Sequence, residues 1–293
     1  MARLRVRDPF PEKLACQQEY CGICGATILN ANWLITAGHC CYRRSSELSK
    51  ERDTLREVNR MNFQVGGHFD SSCSTTDMHK RCKHYDGVHA DKIGVIVNAT
   101  RIIPYPSYRN HSHFNQAKLR YDYCLVEVTA IAFDSINRDG ILRADAVTLP
   151  KSHVPFSIGV ANEQNVTGNC QIAGWGTTGD HNYAKQSSEL MSTQVRVMSD
   201  KFCQRSKHPT YKRIRPEYEF CAGETNRDSC EGDSGGPLYC ASNLTDGNNV
   251  DVLYGIVSRG PRNGCGRAGQ PGIYAKVSTI VPWIRTYTTG MLN

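Results

Sequence analysis

The 293-residue chain predicts an all-β fold closed by a single C-terminal helix. Three observations carry that prediction. Short β-branched and aromatic runs recur with turn residues between them, one stretch alone has good helical periodicity, and the balance of 22% charged to 39% hydrophobic residues excludes a disordered or rod-like chain. In chain order, strands are expected at Ala26–Leu29, Trp33–Thr36, Asn62–Val65, Ile93–Val97, Cys124–Val128, Gln171–Ala173, Gln194–Val197, Val252–Val257 and Gly272–Val277. The helix is expected from Ser278 to Tyr287, because Ile280, Val281 and Ile284 fall on one face and Ser278 stands where an N-cap belongs. Between these elements, Ser45–Asn59 is polar and charged enough for an exposed helix or loop, and the His- and Cys-rich stretch Ser71–Asp91 reads as an inserted loop.

Composition narrows the setting. Fourteen cysteines are too many for an ordinary cytosolic enzyme, and Asn-x-Ser/Thr sequons at Asn98, Asn110, Asn165 and Asn243 agree with them on an oxidising, secretory route, so the chain is expected to be a secreted glycoprotein. No apolar run approaches the roughly 20 residues of a bilayer span, so no membrane partner is expected. The net charge of +7 is concentrated at Arg43–Arg60 and Lys201–Arg215, which read as solvated faces and not as a nucleic-acid surface. Met1–Leu14 carries Arg3, Arg5 and Arg7 with no apolar stretch behind them, so no signal peptide is recognised there.

The chemistry concentrates at Asp228-Ser-Cys-Glu-Gly-Asp-Ser234-Gly-Gly-Pro. Glycines around one serine let a substrate carbonyl approach and aim backbone N–H groups at one point, as stabilising a tetrahedral oxyanion requires. Gly232-Asp-Ser234-Gly-Gly236 also fits the nucleophile elbow of α/β-hydrolases, but there the histidine follows the serine, and here all ten histidines precede it. Of these, His39 alone ends an apolar strand, Trp33-Leu-Ile-Thr-Ala-Gly-His39-Cys40. Asp122, heading the apolar run Cys124–Val128, is the best orienting carboxylate, since an acid at such a place is costly unless paired. Cys21-x-x-Cys24 with His39-Cys40-Cys41 could be read as a zinc site, and Gly174-Trp-Gly-Thr-Thr-Gly179 as a dinucleotide loop. The glycines open no helix, and secreted cysteines oxidise, so neither metal nor cofactor is expected.

Thr36-Ala-Gly-His39-Cys40, Tyr121-Asp122-Tyr123, Gly174-Trp-Gly176, the Asp228–Pro237 run, Gly255-Ile-Val-Ser258 and Pro271-Gly-Ile-Tyr274 together resemble the chymotrypsin/trypsin family of secreted serine endopeptidases, from about Cys24 to the C-terminus. The resemblance implies two six-stranded antiparallel β-barrels packed together, with the site in the cleft between them and a C-terminal helix. Within a single peptidase domain over 1–293, residues 1–23 would be an incomplete N-terminal segment, 24–135 the first barrel with an insertion at about 43–91, 136–277 the second barrel and 278–289 the helix. It also implies the roles. Ser234 would be nucleophile, His39 base and Asp122 its orienter, with the N–H groups of Gly232 and Ser234 as oxyanion hole. Asp228 would select Arg or Lys at the base of a pocket lined by Ser229, Ser258, Gly260 and Gly272. Substrates would be proteins or peptides, protein protease inhibitors would be partners, and the enzyme would act as a monomer.

By the same resemblance Cys24 pairs with Cys40, Cys170 with Cys240, Cys203 with Cys221, and Cys230 with Cys265. Cys41 and Cys124 each stand two residues past a side chain of a pair that must touch, so a bond between them is reasonable; Cys73–Cys82 and Cys16–Cys21 are local pairings. Three departures from the family pattern stand out. Proteases of this kind are made as zymogens, and a freed Ile-Val-Gly-Gly-like N-terminus pairs with the aspartate at Asp233. No such tetrapeptide precedes Cys24, so Asp233 is expected to lack its counter-charge and the oxyanion hole to stay unformed. Arg259 stands where the family usually carries tryptophan, which alters the subsites beside the pocket. His39 and Asp122 are 83 positions apart, longer than usual by several tens. A non-catalytic homologue serving as a binding or regulatory module is the alternative, although all three triad residues are present.

Overall fold

The computed structural model describes residues 1–7, 21–43, 54–68, 94–108, 119–136, 145–150, 160–161, 165–166, 170–178, 185–205, 210–243, 249–261 and 264–288. Six strands close into a barrel in the order β1-β2-β3-β8-β7-β6. They are β1 (Ala2–Val6), β2 (Cys21–Ile28), β3 (Trp33–Thr36), β6 (Met61–Val65), β7 (Val95–Pro104) and β8 (Cys124–Val128), and the short pair β4 (Tyr42–Arg43) and β5 (Thr54–Leu55) sits outside it. Strand β1 makes the closure, pairing on one edge with β2 (Leu4 opposite Cys24) and on the other with β6 (Leu4 opposite Phe63). Its alternation places Leu4 and Val6 in the core with Trp33, Ile35, Phe63 and Val126.

The second unit is a six-stranded antiparallel sheet of order β14-β11-β16-β17-β18-β15. Its strands are β11 (Cys170–Gly174), β14 (Met191–Val195), β15 (Glu219–Ala222), β16 (Pro237–Asn243), β17 (Asn249–Arg259) and β18 (Gly272–Lys276). The two outer strands meet just past β14, where Gly223 N donates to Arg196 O at 2.9 Å, Met198 N donates to Cys221 O at 2.8 Å, and Val197 bridges Ala222. The sheet therefore rolls up on itself around Ile172, Val195, Phe220, Leu238, Val257 and Tyr274. Smaller pieces are the pairs β9 (Val160–Ala161) with β10 (Asn165–Val166) and β12 (Thr177–Thr178) with β13 (Lys185–Gln186), and the short helices α1 (Phe133–Ile136) and α2 (Asp200–Arg205). Helix α3 (Val281–Thr288) crosses back, burying Val281 and Ile284 in the first barrel's core while Trp283 meets Tyr105 edge-on at 5.1 Å.

The structure corrects several expectations. The first barrel begins at residue 2 and not at 24, so β1 belongs to the closed barrel. The segment 43–91 is not one insertion, because β6 lies inside it. Ser278 is no N-cap: a 3-10 turn over Val277–Ile280 precedes α3 and encloses it. Strands β15 and β16 were not anticipated. Trp33–Thr36 and Cys124–Val128 match their expected bounds.

Among the described residues, five disulfides with both partners in view brace the two units: Cys24–Cys40, Cys41–Cys124, Cys170–Cys240, Cys203–Cys221 and Cys230–Cys265. Cys170 and Cys240 are register partners on β11 and β16, so that bond staples adjacent strands. Cys21 is also disulfide-bonded. Cys16, Cys73 and Cys82, and most of the two loops expected between His39 and Asp122, lie outside the described residues.

Candidate active site

Strand β3 delivers His39. Its last residue, Thr36, donates from Oγ1 to Gly25 O at 2.7 Å, and the chain then tightens into a 3-10 turn over Gly38–Cys41 that presents the imidazole at 15% exposure. Gly38 is required there, because a Cβ would come within 2.6 Å of the Tyr108 ring. From the neighbouring strand, Asp122 enters just ahead of β8 and is 2% exposed. Its Oδ1 accepts from His39 N at 2.8 Å, its Oδ2 lies 2.9 Å from His39 Nδ1, and Ser258 Oγ donates to the same Oδ2 at 2.6 Å. Burial pushes the Asp122 carboxyl up, but the facing His39 and the hydrogen bonds from His39 and Ser258 outweigh it and hold the group below its ordinary value. A carboxylate so placed fixes which imidazole nitrogen carries the proton.

Ser234 stands on the turn leading into β16. Its carbonyl accepts from Gly25 N at 2.7 Å, so the serine's backbone is docked on β2 at the residue whose carbonyl also takes the Thr36 hydroxyl. Cys40, next to His39, brings its Sγ within 3.6 Å of the same carbonyl. Gly232 and Gly235 flank the serine at φ 99° and 82°, a region that strains any residue with a Cβ. At Gly235 that Cβ would also lie 2.1 Å from Thr36 Oγ1. The turn is tied down by Asp233, whose Oδ1 accepts from Gly176 N at 2.7 Å and Oδ2 from Cys230 N at 2.9 Å. Burial raises the Asp233 carboxyl; those backbone donors and the charge of Arg3 act against the rise without cancelling it. Asp233 lines a cavity of about 240 Å³ together with Ile172, Met191, Arg227, Asp228 and Ser229.

Asp228 accepts three backbone hydrogen bonds, from Ser229 N at 2.8 Å and from Gly266 N and Gly272 N at 3.2 Å. Burial still pushes it up to about 7. Gly272 admits the carboxylate, since a Cβ there would lie 2.7 Å from Asp228 Oδ1, whereas at Gly260 a Cβ would meet nothing within 4 Å, so that wall is open. Ser229 Oγ accepts from Tyr274 Oη at 3.1 Å. Of the expected pocket residues, Asp228, Ser229 and Gly272 thus come together. Ser258 instead turns its hydroxyl to Asp122, a bond that sequence reasoning missed and that no local signal announces. Arg259 turns inward onto Glu219.

Cys24, His39 and Cys40 cluster closely enough to suggest metal ligands, but the two sulfurs are bonded to each other and offer no thiolate. Asn98 is exposed on β7, Asn165 lies in β10, Asn243 ends β16, and Asn110 is outside the described residues. No helix among the described residues is long and apolar enough to cross a membrane.

Comparison with known proteins gives the following. The family profile described as Trypsin matches residues 7–284. The chain is 30% identical over 264 residues to a hepatocyte growth factor activator serine protease of Canis lupus familiaris, covering 89% of this chain and 32% of that protein. It is 30% identical over 263 residues to the Homo sapiens counterpart, with the same shares. To ovochymase of Halocynthia roretzi it is 27% identical over 289 residues, 97% of this chain and 15% of that protein. The chain therefore spans a third or less of the length of these relatives.

Proposed function

The chain belongs to the trypsin family of serine proteases, and on that footing we propose that it is an endopeptidase cutting after Arg or Lys through an acyl-enzyme. The observation that carries the reading is the buried Asp122 carboxylate bonded to His39 Nδ1 at 2.9 Å, on a turn whose neighbour Cys40 touches the backbone of Ser234. In this reading Ser234 Oγ attacks the peptide carbonyl as His39 Nε2 takes its proton, and Asp122 stabilises the imidazolium that results. The oxyanion is received by the N–H groups of Gly232 and Ser234. Collapse breaks the C–N bond, the amine leaves with the proton from His39, and water repeats the sequence to free the acid.

Asp228 receives the cationic side chain of the residue before the cut. Its raised value reflects a carboxylate short of a cation, which an Arg or Lys supplies and an apolar residue does not. Asp233 is the activation partner. The cavity it lines, which also has Ile172, Ala173 and Met191 and the second acid Asp228 in its wall, offers both apolar and anionic contacts to an aliphatic residue bearing a free ammonium, as a zymogen's new N-terminus would present. Secretion, glycosylation at the exposed Asn98, protein substrates and inhibition by protease inhibitors follow from the same reading; the five disulfides support an oxidising compartment. The test is labelling by a fluorophosphonate together with cleavage of a peptide library. An adduct at Ser234 and cuts confined to Arg and Lys are expected; no adduct in protein with a freed activation N-terminus would favour a non-catalytic binding module.

A further inference from the structure

Arg259 follows Ser258 on β17, yet its side chain is 0% exposed and grips Glu219 on β15 with its two terminal guanidinium nitrogens, Nη1 and Nη2. The Nη2–Oε2 distance is 3.0 Å, and Glu219 Oε2 also accepts from Arg215 N at 3.0 Å. The two strands are not neighbours. Arg259 pairs with Ile273 on one edge of β18 and Glu219 with Ala275 on the other, so the ion pair reaches across β18 and ties together two strands that are not hydrogen-bonded to each other.

One residue before each partner stands a group that touches the Asp122 turn. Ser258 Oγ donates to Asp122 Oδ2 at 2.6 Å. Tyr218 stacks on Tyr121 with ring centroids 4.1 Å apart, and Tyr105 covers the other side of Tyr121 at 5.5 Å. Tyr121 needs that support, because its φ of 51° is unfavourable for a bulky residue and persists only where the surroundings impose it. With Tyr123 N donating to Tyr121 O at 2.8 Å, it forms the tight turn whose apex is Asp122.

We propose that Glu219 and Arg259 are a positioning pair for the catalytic carboxylate, setting the offset of β15 and β17 and so holding Ser258 and Tyr218 against the Asp122 turn. Separating two buried charges is costly, so the pair locks this offset more firmly than apolar packing would. A corollary is that the side chain at 259 is not a wall of the substrate subsites. The inference rests on the peptidase reading above.

The test uses E219Q, R259M and the apolar double variant E219M/R259M, assayed on short arginyl amides together with thermal melting. Each single variant should lower kcat by about 10- to 100-fold, as a displaced catalytic group does. KM should stay within about twofold, since an interaction made only in the transition state is what is lost. The double variant removes both charges, so its melting temperature should return to that of the unsubstituted protein while kcat stays low. Recovery of kcat together with melting temperature would reduce the pair to a structural element and overturn the inference. So would unchanged kcat in E219Q, or an altered preference for the residue next to the scissile arginine in R259M. If the double variant does not fold, the fluorophosphonate labelling rate of E219Q below its melting temperature decides: slower labelling supports the pair, an equal rate overturns it. No labelling of the unsubstituted protein with a freed activation N-terminus would instead remove the peptidase reading itself, and this inference with it.

Discussion

Asp122 in the first barrel and Asp228 and Asp233 in the second are carboxylates in burying surroundings, yet they differ in what faces them. Asp122 has an imidazole opposite it and a serine hydroxyl on its flank, and it stays below its ordinary value. The other two are held mainly by backbone N–H groups and are pushed up, Asp228 to about 7. Backbone dipoles soften the loss of water but do not replace a cation. The His39–Asp122 corner thus carries its own counter-charge, whereas the turn around Ser234 holds two raised acids, for which we propose a cation from substrate at Asp228 and one from a chain terminus at Asp233.

The strongest way to break this contrast is to remove the completed side. Asp122→Asn should lower kcat by about 10⁴-fold and Ser234→Ala by at least as much, with unchanged circular dichroism. Retained activity in either, measured on an arginyl amide, would end the assignment. Next, Asp228→Ser should cost about a hundredfold or more in kcat/KM on Arg and Lys substrates and little on apolar ones, as competition between paired peptides would reveal. Gly174→Ala probes the other acid, since its Cβ would lie 1.8 Å from Asp233 Oδ1 and the carboxylate must move. We expect labelling of Ser234 to slow by about 10- to 100-fold, through loss of oxyanion donors and not of the nucleophile.

The smallest effects are in pH. Binding a cation requires ionised Asp228, so affinity for an amidinium inhibitor should fall by about tenfold per unit below pH 7, with proton release detectable by calorimetry in two buffers. Stability responds with opposite signs. Asp228 holds its proton in the folded state where the unfolded chain has lost it, so its contribution declines as pH rises from its ordinary value to about 7. Asp122 is depressed, so its contribution is present above the ordinary value and disappears as pH falls through the folded one. Urea unfolding of D228S and D122N across that range separates the two.

What could be read in advance followed from local pattern. Trp33–Thr36 and Cys124–Val128 are dense apolar runs with sharp ends, and both were located to the residue. The Cys41–Cys124 bond was legible because two side chains that must meet bring their neighbours along. Ala2–Val6 alternates correctly, but Arg3 and Arg5 disguise a strand whose Arg3 is itself buried. Neither the Ser258–Asp122 bond nor the grip of Arg259 on Glu219 leaves a local trace, for the first joins the two units and the second spans β18, so each depends on tertiary packing alone. Arg259 stands out in the sequence as a change at the subsites, whereas its burial against Glu219 turns it inward.

The bond between Cys41 and Cys124 closes a loop with a sequence separation of 83, and in a chain-entropy view such a closure is worth about 4 to 5 kcal/mol. Its placement matters more than its size. Because the staple sits two residues beyond His39 and two beyond Asp122, the two ends of this long segment are fastened together beside the imidazole and the carboxylate that faces it. A change of length between β6 and β7 is therefore borne by a segment whose entry and exit are pinned to each other, so the pairing of His39 with Asp122 does not depend on the segment's own length.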